Sequence, residues 1–161
     1  MTCLRVAQCE CGIVVKIAGR GTMQESPTFQ ALASKCLDVA DVSMHVDLSD
    51  CEFLDSTFLG CLIQLHKKWN QASAKRFLLG ASQSKKRELF KASFYGRLLH
   101  FTDKTPEPQG DFNEVTMECL EAKDFGRHIL KCHQHLIEQG GPATSHYQKI
   151  VDRLASEIDE N

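Results

Sequence analysis

Val46-Asp47-Leu48-Ser49 and, after Asp50-Cys51-Glu52, Phe53-Leu54-Asp55-Ser56-Thr57-Phe58-Leu59-Gly60 form the stretch on which the fold turns. Leading into it, Val42, Met44, Val46 and Leu48 alternate with Ser43, His45 and Asp47, the period of two that belongs to a strand. Leading out of it, Leu59, Leu62, Ile63, His66 and Trp69 recur at helical spacing. Asp55, Ser56 and Thr57 stand where that helix must begin, and their short polar side chains satisfy the amides a helix start leaves unpaired. The stretch therefore reads as strand, short turn, helix, with the helix opening at or beside Ser56.

Upstream, residues 4–9 and 13–18 read as a β-hairpin turned by Glu10-Cys11-Gly12, and Gly19-Arg20-Gly21-Thr22 reads as a loop. Ser26-Pro27 offers an N-cap and a first-turn proline for a helix that buries Phe29, Leu32, Ala33 and Cys36 and ends near Asp38. Downstream, Phe77-Leu78-Leu79 is a short buried strand. Ser82-Gln83-Ser84 caps a third helix through Phe90, and Leu98 to Phe101 adds an edge strand. Alternating strands and helices predict an α/β fold, a mixed sheet flanked by helices, closing near Thr102. Residues 103–112, with Pro106, Pro108 and Gly110, read as a linker. Residues 113–161 read as a C-terminal helical hairpin: one helix from about Glu114 to Gln139, a break at Gly140-Gly141-Pro142, and a second from about Ala143 to Ile158.

Composition bounds the function. A chain of 161 residues with 19 basic and 21 acidic side chains has no field to attract nucleic acid, and two tyrosines with one tryptophan offer no stacking platform. No apolar run approaches the roughly 20 residues that cross a bilayer, and Arg5 and Glu10 sit where a signal peptide would be apolar, so the expectation is a cytoplasmic protein without membrane insertion. Eight cysteines, at 3, 9, 11, 36, 51, 61, 119 and 132, contain no Cys-x-x-Cys pair. They read mainly as buried small residues in a reducing compartment, with Cys36, Cys61 and Cys132 on helix faces. Cys51, placed in the turn before Ser56, is the thiol whose oxidation would reach the helix start.

The stretch from Val46 to Gly60 resembles the signature of the STAS domains, the family of bacterial anti-sigma factor antagonists: a strand ending in Asp-Leu-Ser, an apolar pair, Asp-Ser-Ser/Thr, and Leu-Gly opening a helix. Residues 4–102 follow that family's order of elements. The resemblance implies a regulatory domain in signal transduction that binds an anti-sigma factor, usually a serine kinase of the GHKL type, and is released when the hydroxyl after the aspartate is phosphorylated. Ser56 would be the acceptor and Thr57 the second choice. Gly19, Arg20, Asp55, Ser56, Thr57, Phe58 and Ser82 would form the partner-binding surface. Phe58 replaces the family's usual glycine, which makes it either a block on access to Ser56 or an exposed contact. Arg20 brings a cation to a loop where the better-known members carry an acid. It would pair with Asp55, read a phosphate on Ser56, or lie solvated. The resemblance also admits a second function, a module of a transporter or sensory assembly that takes a lipid, nucleotide or other small ligand without phosphorylation.

The remaining constellations weigh less. His128, Cys132 and His135 share a stripe of the long C-terminal helix at metal-ligand spacing, but Phe125, Ile129, Cys132 and Leu136 make a better core face, so no metal is expected. Lys85-Lys86-Arg87 reads as a solvated basic face. No phosphate-cradling glycine loop, nucleophile elbow or His-Glu-x-x-His motif is present, so the reading is a non-enzymatic domain without a cofactor. The helical hairpin must pack on its own domain or join two copies into a homo-oligomer.

Overall fold

The computed structural model describes residues 3–39, 42–71, 76–90 and 94–159. The expected hairpin is present: β1 (Cys3–Cys9) and β2 (Gly12–Gly21) pair antiparallel. Gly12 starts β2 at φ +149°, and a Cβ there would lie 2.1 Å from the carbonyl oxygen of Ser43, so only glycine lets β2 run this close to β3 (Ser43–Asp47). Strand β2 is longer than its apolar run. Gly19, Arg20 and Gly21, read as loop, extend it: beyond the span paired with β3, the chain bulges at Gly19 and pairs parallel with β4 (Cys51–Leu54). Glycine in a strand often marks such a bulge. The same pairing corrects Cys51, which is buried at the start of a strand instead of lying in a turn.

Helix α1 (Ser26–Leu37) has Glu25 at its N-cap position without a side-chain bond into the helix; the Glu25 carboxylate folds back instead to accept from the Thr22 N–H at 2.9 Å and its hydroxyl at 2.7 Å. Ser26, expected as the cap, is the first helical residue, and its hydroxyl turns inward. Helix α2 (Ser56–Gln71) begins where the sequence placed it and buries Leu59, Leu62, Ile63, His66 and Trp69. Strand β5 (Phe77–Gly80) pairs parallel with β3, and the Ser82 hydroxyl accepts the Lys85 N–H to cap α3 (Gln83–Phe90). A 3-10 turn, Phe94–Arg97, carries Leu98 and Leu99 out of the sheet, so β6 is only Phe101–Thr102.

The sheet order is β6-β5-β3-β2-β1-β7, where β7 (Asn113–Glu114) pairs antiparallel with β1. Strands β6 and β7 thus lie at opposite edges, and residues 103–112, read as a linker, must cross between them. The Thr105 hydroxyl stands against Gly80, and the Gln109 N–H bonds the Gln8 carbonyl at 2.8 Å. Gly80 alternates with the core residues Phe77 and Leu79, which puts the crossing on the face opposite α1 and α2. His45, on the polar side of the β3 alternation, is buried on that second face beside Val14.

Helix α4 (Ala122–Glu138) starts later than expected because Asn113 to Val115 pairs with β1 and the Glu118 N–H is held by the Thr28 hydroxyl. Gly140 and Gly141, at φ +74° and +101°, turn the chain into α5 (Thr144–Asp159). The hairpin packs on its own domain, with α4 laid along α2 and α2 in turn over the sheet. The buried face of α4 is His128, Cys132, His133 and Leu136. Phe125 and Ile129, assigned to that stripe from the sequence, are half-buried, with Ile129 facing Ile150 and Leu154 of α5. Burying Leu136 alone contributes roughly 1.5–3 kcal/mol. The two helices come closest at Gly60, where an added Cβ would lie 2.2 Å from the Cys132 carbonyl oxygen.

Candidate functional site

The start of α2 is built by Asp55. One carboxylate oxygen accepts the Phe58 N–H at 2.8 Å and the other the Met23 N–H at 2.7 Å, while the Asp55 N–H bonds the Gly21 carbonyl. Asp55 therefore caps the helix and pins the β2–α1 connection to it, which leaves the Ser56 hydroxyl unneeded by the helix. That hydroxyl meets His133 of α4, with Oγ and Nε2 3.0 Å apart. The other ring nitrogen, Nδ1, lies 2.8 Å from the Ile129 carbonyl, which can only accept. Nδ1 therefore donates to that carbonyl, and in the neutral ring Nε2 accepts the Ser56 O–H.

The expected site residues divide. Gly19, Arg20, Asp55 and Ser56 are brought together at the end of β2 and β4 and the start of α2, with Arg20 in register with Phe53. The Arg20 guanidinium lies 4.3 Å from the Phe53 ring centroid, and both residues are exposed, so the cation stacks on an aromatic face at the rim. Both oxygens of the Asp55 carboxylate are engaged by backbone amides. Thr57 and Phe58 turn inward. Phe58 is fully buried and stacks on Phe29 at 5.2 Å, so it is core and not an exposed contact, and it does not block Ser56. Ser82 caps α3 one element away, where Lys85 reaches the Cys51 carbonyl.

The hairpin screens one side of Ser56, which is half-buried. Ser56 lines a groove of about 540 Å³ walled by Phe53, Leu59, Leu89, Tyr95 and Tyr147 and edged by Glu52, Asp55 and Glu88. On its other side, a second groove of about 420 Å³ runs past Met23, His133 and Arg153. His133, itself 3% exposed, lines this second groove.

Sequence reasoning passed over His133, since a histidine beside an apolar stripe carries no signal until its partner on another element is known. It also passed over the junction beneath. There Ser26 contacts His128 Nε2, His128 lies 3.6 Å from the Cys132 sulfur, and the Cys61 thiol interacts with both Cys132 and the Ser26 carbonyl. Burial pushes the Cys61 thiol up. The Cys61 hydrogen bond, with help from His128, holds the Cys132 thiol down. Cys51 is fully buried, with its thiol raised by burial. Cys11 and Cys119 are exposed, and the side chain of Cys3 lies outside the described residues. Among the described residues no cluster of histidine, cysteine and acid is arranged to hold a metal; His135 lies beside Glu138 while His128 and Cys132 face the interior. No described helix is long and apolar enough to cross a membrane.

No protein-family model and no curated protein sequence matches the chain. Among solved structures, the crystal structure of an anti-sigma factor antagonist from Mycobacterium paratuberculosis is similar, with a TM-score of 0.54 and 18% sequence identity over 65% of this chain and 87% of that one. The mixed seven-stranded sheet, its helices and the Asp55–Ser56 helix start thus form a STAS-like fold, the architecture of that antagonist, here carrying a C-terminal hairpin folded onto α2.

Proposed function

We propose that this chain is a non-enzymatic regulatory protein, an anti-sigma factor antagonist that binds an anti-sigma factor of the serine-kinase type through the start of α2 and is switched off by phosphorylation of Ser56. The observation that carries the reading is the division of labour at this helix start. Asp55 does the capping, so the Ser56 hydroxyl can be modified without unfolding the helix. A phosphate there adds about −1.5 to −2 charge and three acceptor oxygens beside Asp55 and Glu52, which spoils a packed interface while the nearby helix amides tolerate it. The likeness to a solved antagonist supports the same direction at the level of fold.

The hairpin adds a condition. With α4 in place, the Ser56 hydroxyl is tied to His133, so a kinase must take it from that bond, and a partner whose interface spans the start of α2 requires the hairpin to lift. Incubating the purified protein with a GHKL-type anti-sigma kinase and ATP tests the reading by mass spectrometry. Phosphate is expected on Ser56 and absent from Ser56→Ala; modification that persists in that variant rules out the site.

A second reading, a module for a small ligand, draws on the groove of about 540 Å³ beside Ser56. Its three acids repel a nucleotide or phospholipid headgroup and would suit a cationic amphiphile. A ligand co-purifying with the protein would favour it.

A further inference from the structure

The junction of α1, α2 and α4 holds two thiols that belong to different parts of the chain, one on the STAS-like unit and one on the hairpin that covers it. We propose that Cys61 and Cys132 are a dithiol redox site that, on oxidation by hydrogen peroxide, forms a disulfide stapling α4 to α2 and so locks the hairpin over Ser56. The backbone geometry carries this. Gly60, next to Cys61, brings the helices so close that its missing Cβ would lie 3.0 Å from the Cys132 Cα, and the Cys61 and Cys132 side chains meet in the fully buried space beside that crossing. Ser26 touches both sides of the pair, its carbonyl 3.9 Å from the Cys61 sulfur and its hydroxyl against the His128 ring that lies 3.6 Å from the Cys132 sulfur; a disulfide asks of such neighbours Cα atoms roughly 4.4–6.8 Å apart.

The chemistry around the pair is unequal. Cys132 has the Cys61 thiol, the His128 ring and the Ser26 hydroxyl beside it, all of which favour its thiolate, whereas burial keeps Cys61 protonated. Cys132 is therefore the attacking sulfur, and His128, 3.6 Å away, receives its proton. The thiolate attacks one peroxide oxygen, the O–O bond breaks, and the departing oxygen leaves as water after taking the proton from His128. Cys132 is now a sulfenic acid. The Cys61 sulfur attacks it, the S–S bond forms, the S–O bond breaks, and the hydroxide leaves as water with the Cys61 proton. Two thiols have lost two electrons and two protons, and the peroxide has become two waters. Both sulfurs are shielded when the hairpin is down, so the first step belongs to the lifted state, in which His128, four residues before Cys132 on the same helix, is the neighbour that stays with it to take its proton, and the second step belongs to the hairpin's return.

The disulfide itself requires nothing of the proposed function; only the consequence, that a locked hairpin withholds Ser56 from a partner, rests on it. The test therefore contains no partner. Full-length reduced protein is treated with hydrogen peroxide, its remaining thiols are alkylated under denaturing conditions, and peptides are mapped. Hydrogen exchange is followed on the same samples. The expected result is a Cys61–Cys132 cross-linked peptide, absent from Cys61→Ser and Cys132→Ser. Exchange in α4 and at the start of α2 should slow by roughly tenfold or more, the lower end of what closing a chain loop delivers. A Cys11→Ser/Cys119→Ser variant, which removes the thiols exposed among the described residues, should behave as the wild type. Peroxide that oxidises Cys11 or Cys119 while Cys61 and Cys132 remain alkylatable overturns the site. A cross-link that leaves exchange unchanged overturns the lock.

Discussion

Replacing Gly60 with alanine should lift the hairpin while leaving the sheet and its two inner helices intact. The added methyl carbon would stand 2.2 Å from the Cys132 carbonyl oxygen and 2.6 Å from its carbonyl carbon. A carbon and a carbonyl oxygen ordinarily approach no closer than about 3.3 Å, so the crossing must open by about 1 Å. The obstacle is the backbone of a hydrogen-bonded helix, which no rotamer change moves aside. Overpacking of this kind costs about 1–3 kcal/mol, and the strain falls on the α2–α4 contact. Alanine meanwhile stabilises α2 itself by about 1 kcal/mol, the difference in helix propensity. The two effects act on different equilibria and can be read apart. In native-state hydrogen exchange, amides of α4 and the first turn of α2 should exchange roughly 5- to 150-fold faster, the factor that corresponds to 1–3 kcal/mol, while β2 and β3 keep their protection. If α4 protection stays at the wild-type level and the melting temperature simply rises, the close approach at Gly60 is not what holds the hairpin, and the reasoning fails.

Three further substitutions probe the same architecture. His133→Ala removes the acceptor for the Ser56 hydroxyl and should weaken hairpin docking by about 1 kcal/mol, seen as faster exchange at the start of α2 with unchanged exchange in β1. Phe58→Ala should lower global stability by about 3–5 kcal/mol in denaturant titration, because Phe58 fills the core against Phe29. A loss of partner binding with stability intact would instead make it a contact residue. Stability should also fall with acid through His66, whose pKa is held down to about 4 by burial and then by His100. Its folded value lies below the ordinary 6.5, so the unfolded chain takes up the proton first. Its contribution is complete above 6.5 and is lost as pH falls towards 4, at most roughly 3 kcal/mol. Denaturant midpoints between about pH 7 and about pH 4 should drop in the wild type and drop less in His66→Phe; equal slopes would exclude His66 as a source.

The parts of this fold legible in the sequence are those whose signal is local. The alternation from Val42 to Leu48 and the cap at Asp55–Ser56 place β3 and α2 because each pattern is answered by its own neighbours. Elements settled by distant partners were not legible. Gly19 to Gly21 is a strand only because β4 lies beside it, and Asn113–Glu114 is a strand only because the edge of β1 was open. His45 is polar by composition yet buried on the second face of the sheet, where its ring meets the Cys11 thiol from the β1–β2 turn. The site divides in the same way. Ser56 is marked by its place at a helix start, whereas His133 and the Cys61–Cys132 junction exist only once α4 is laid on α2.

A cover formed by the chain's own helices also sets the strength of whatever binds beneath it. A partner that needs the start of α2 binds only the lifted state, so its apparent dissociation constant is the intrinsic one divided by the lifted fraction. Every 1.4 kcal/mol by which closure is preferred weakens that partner about tenfold. The same lifted fraction governs hydrogen exchange of the amides that α4 shields. One equilibrium therefore has two readouts, and Gly60→Ala, which touches neither Asp55 nor Ser56, should tighten partner binding by the same factor by which it speeds exchange at the start of α2. Partner affinity that stays constant while exchange accelerates would place the binding surface elsewhere, on a face that α4 does not cover.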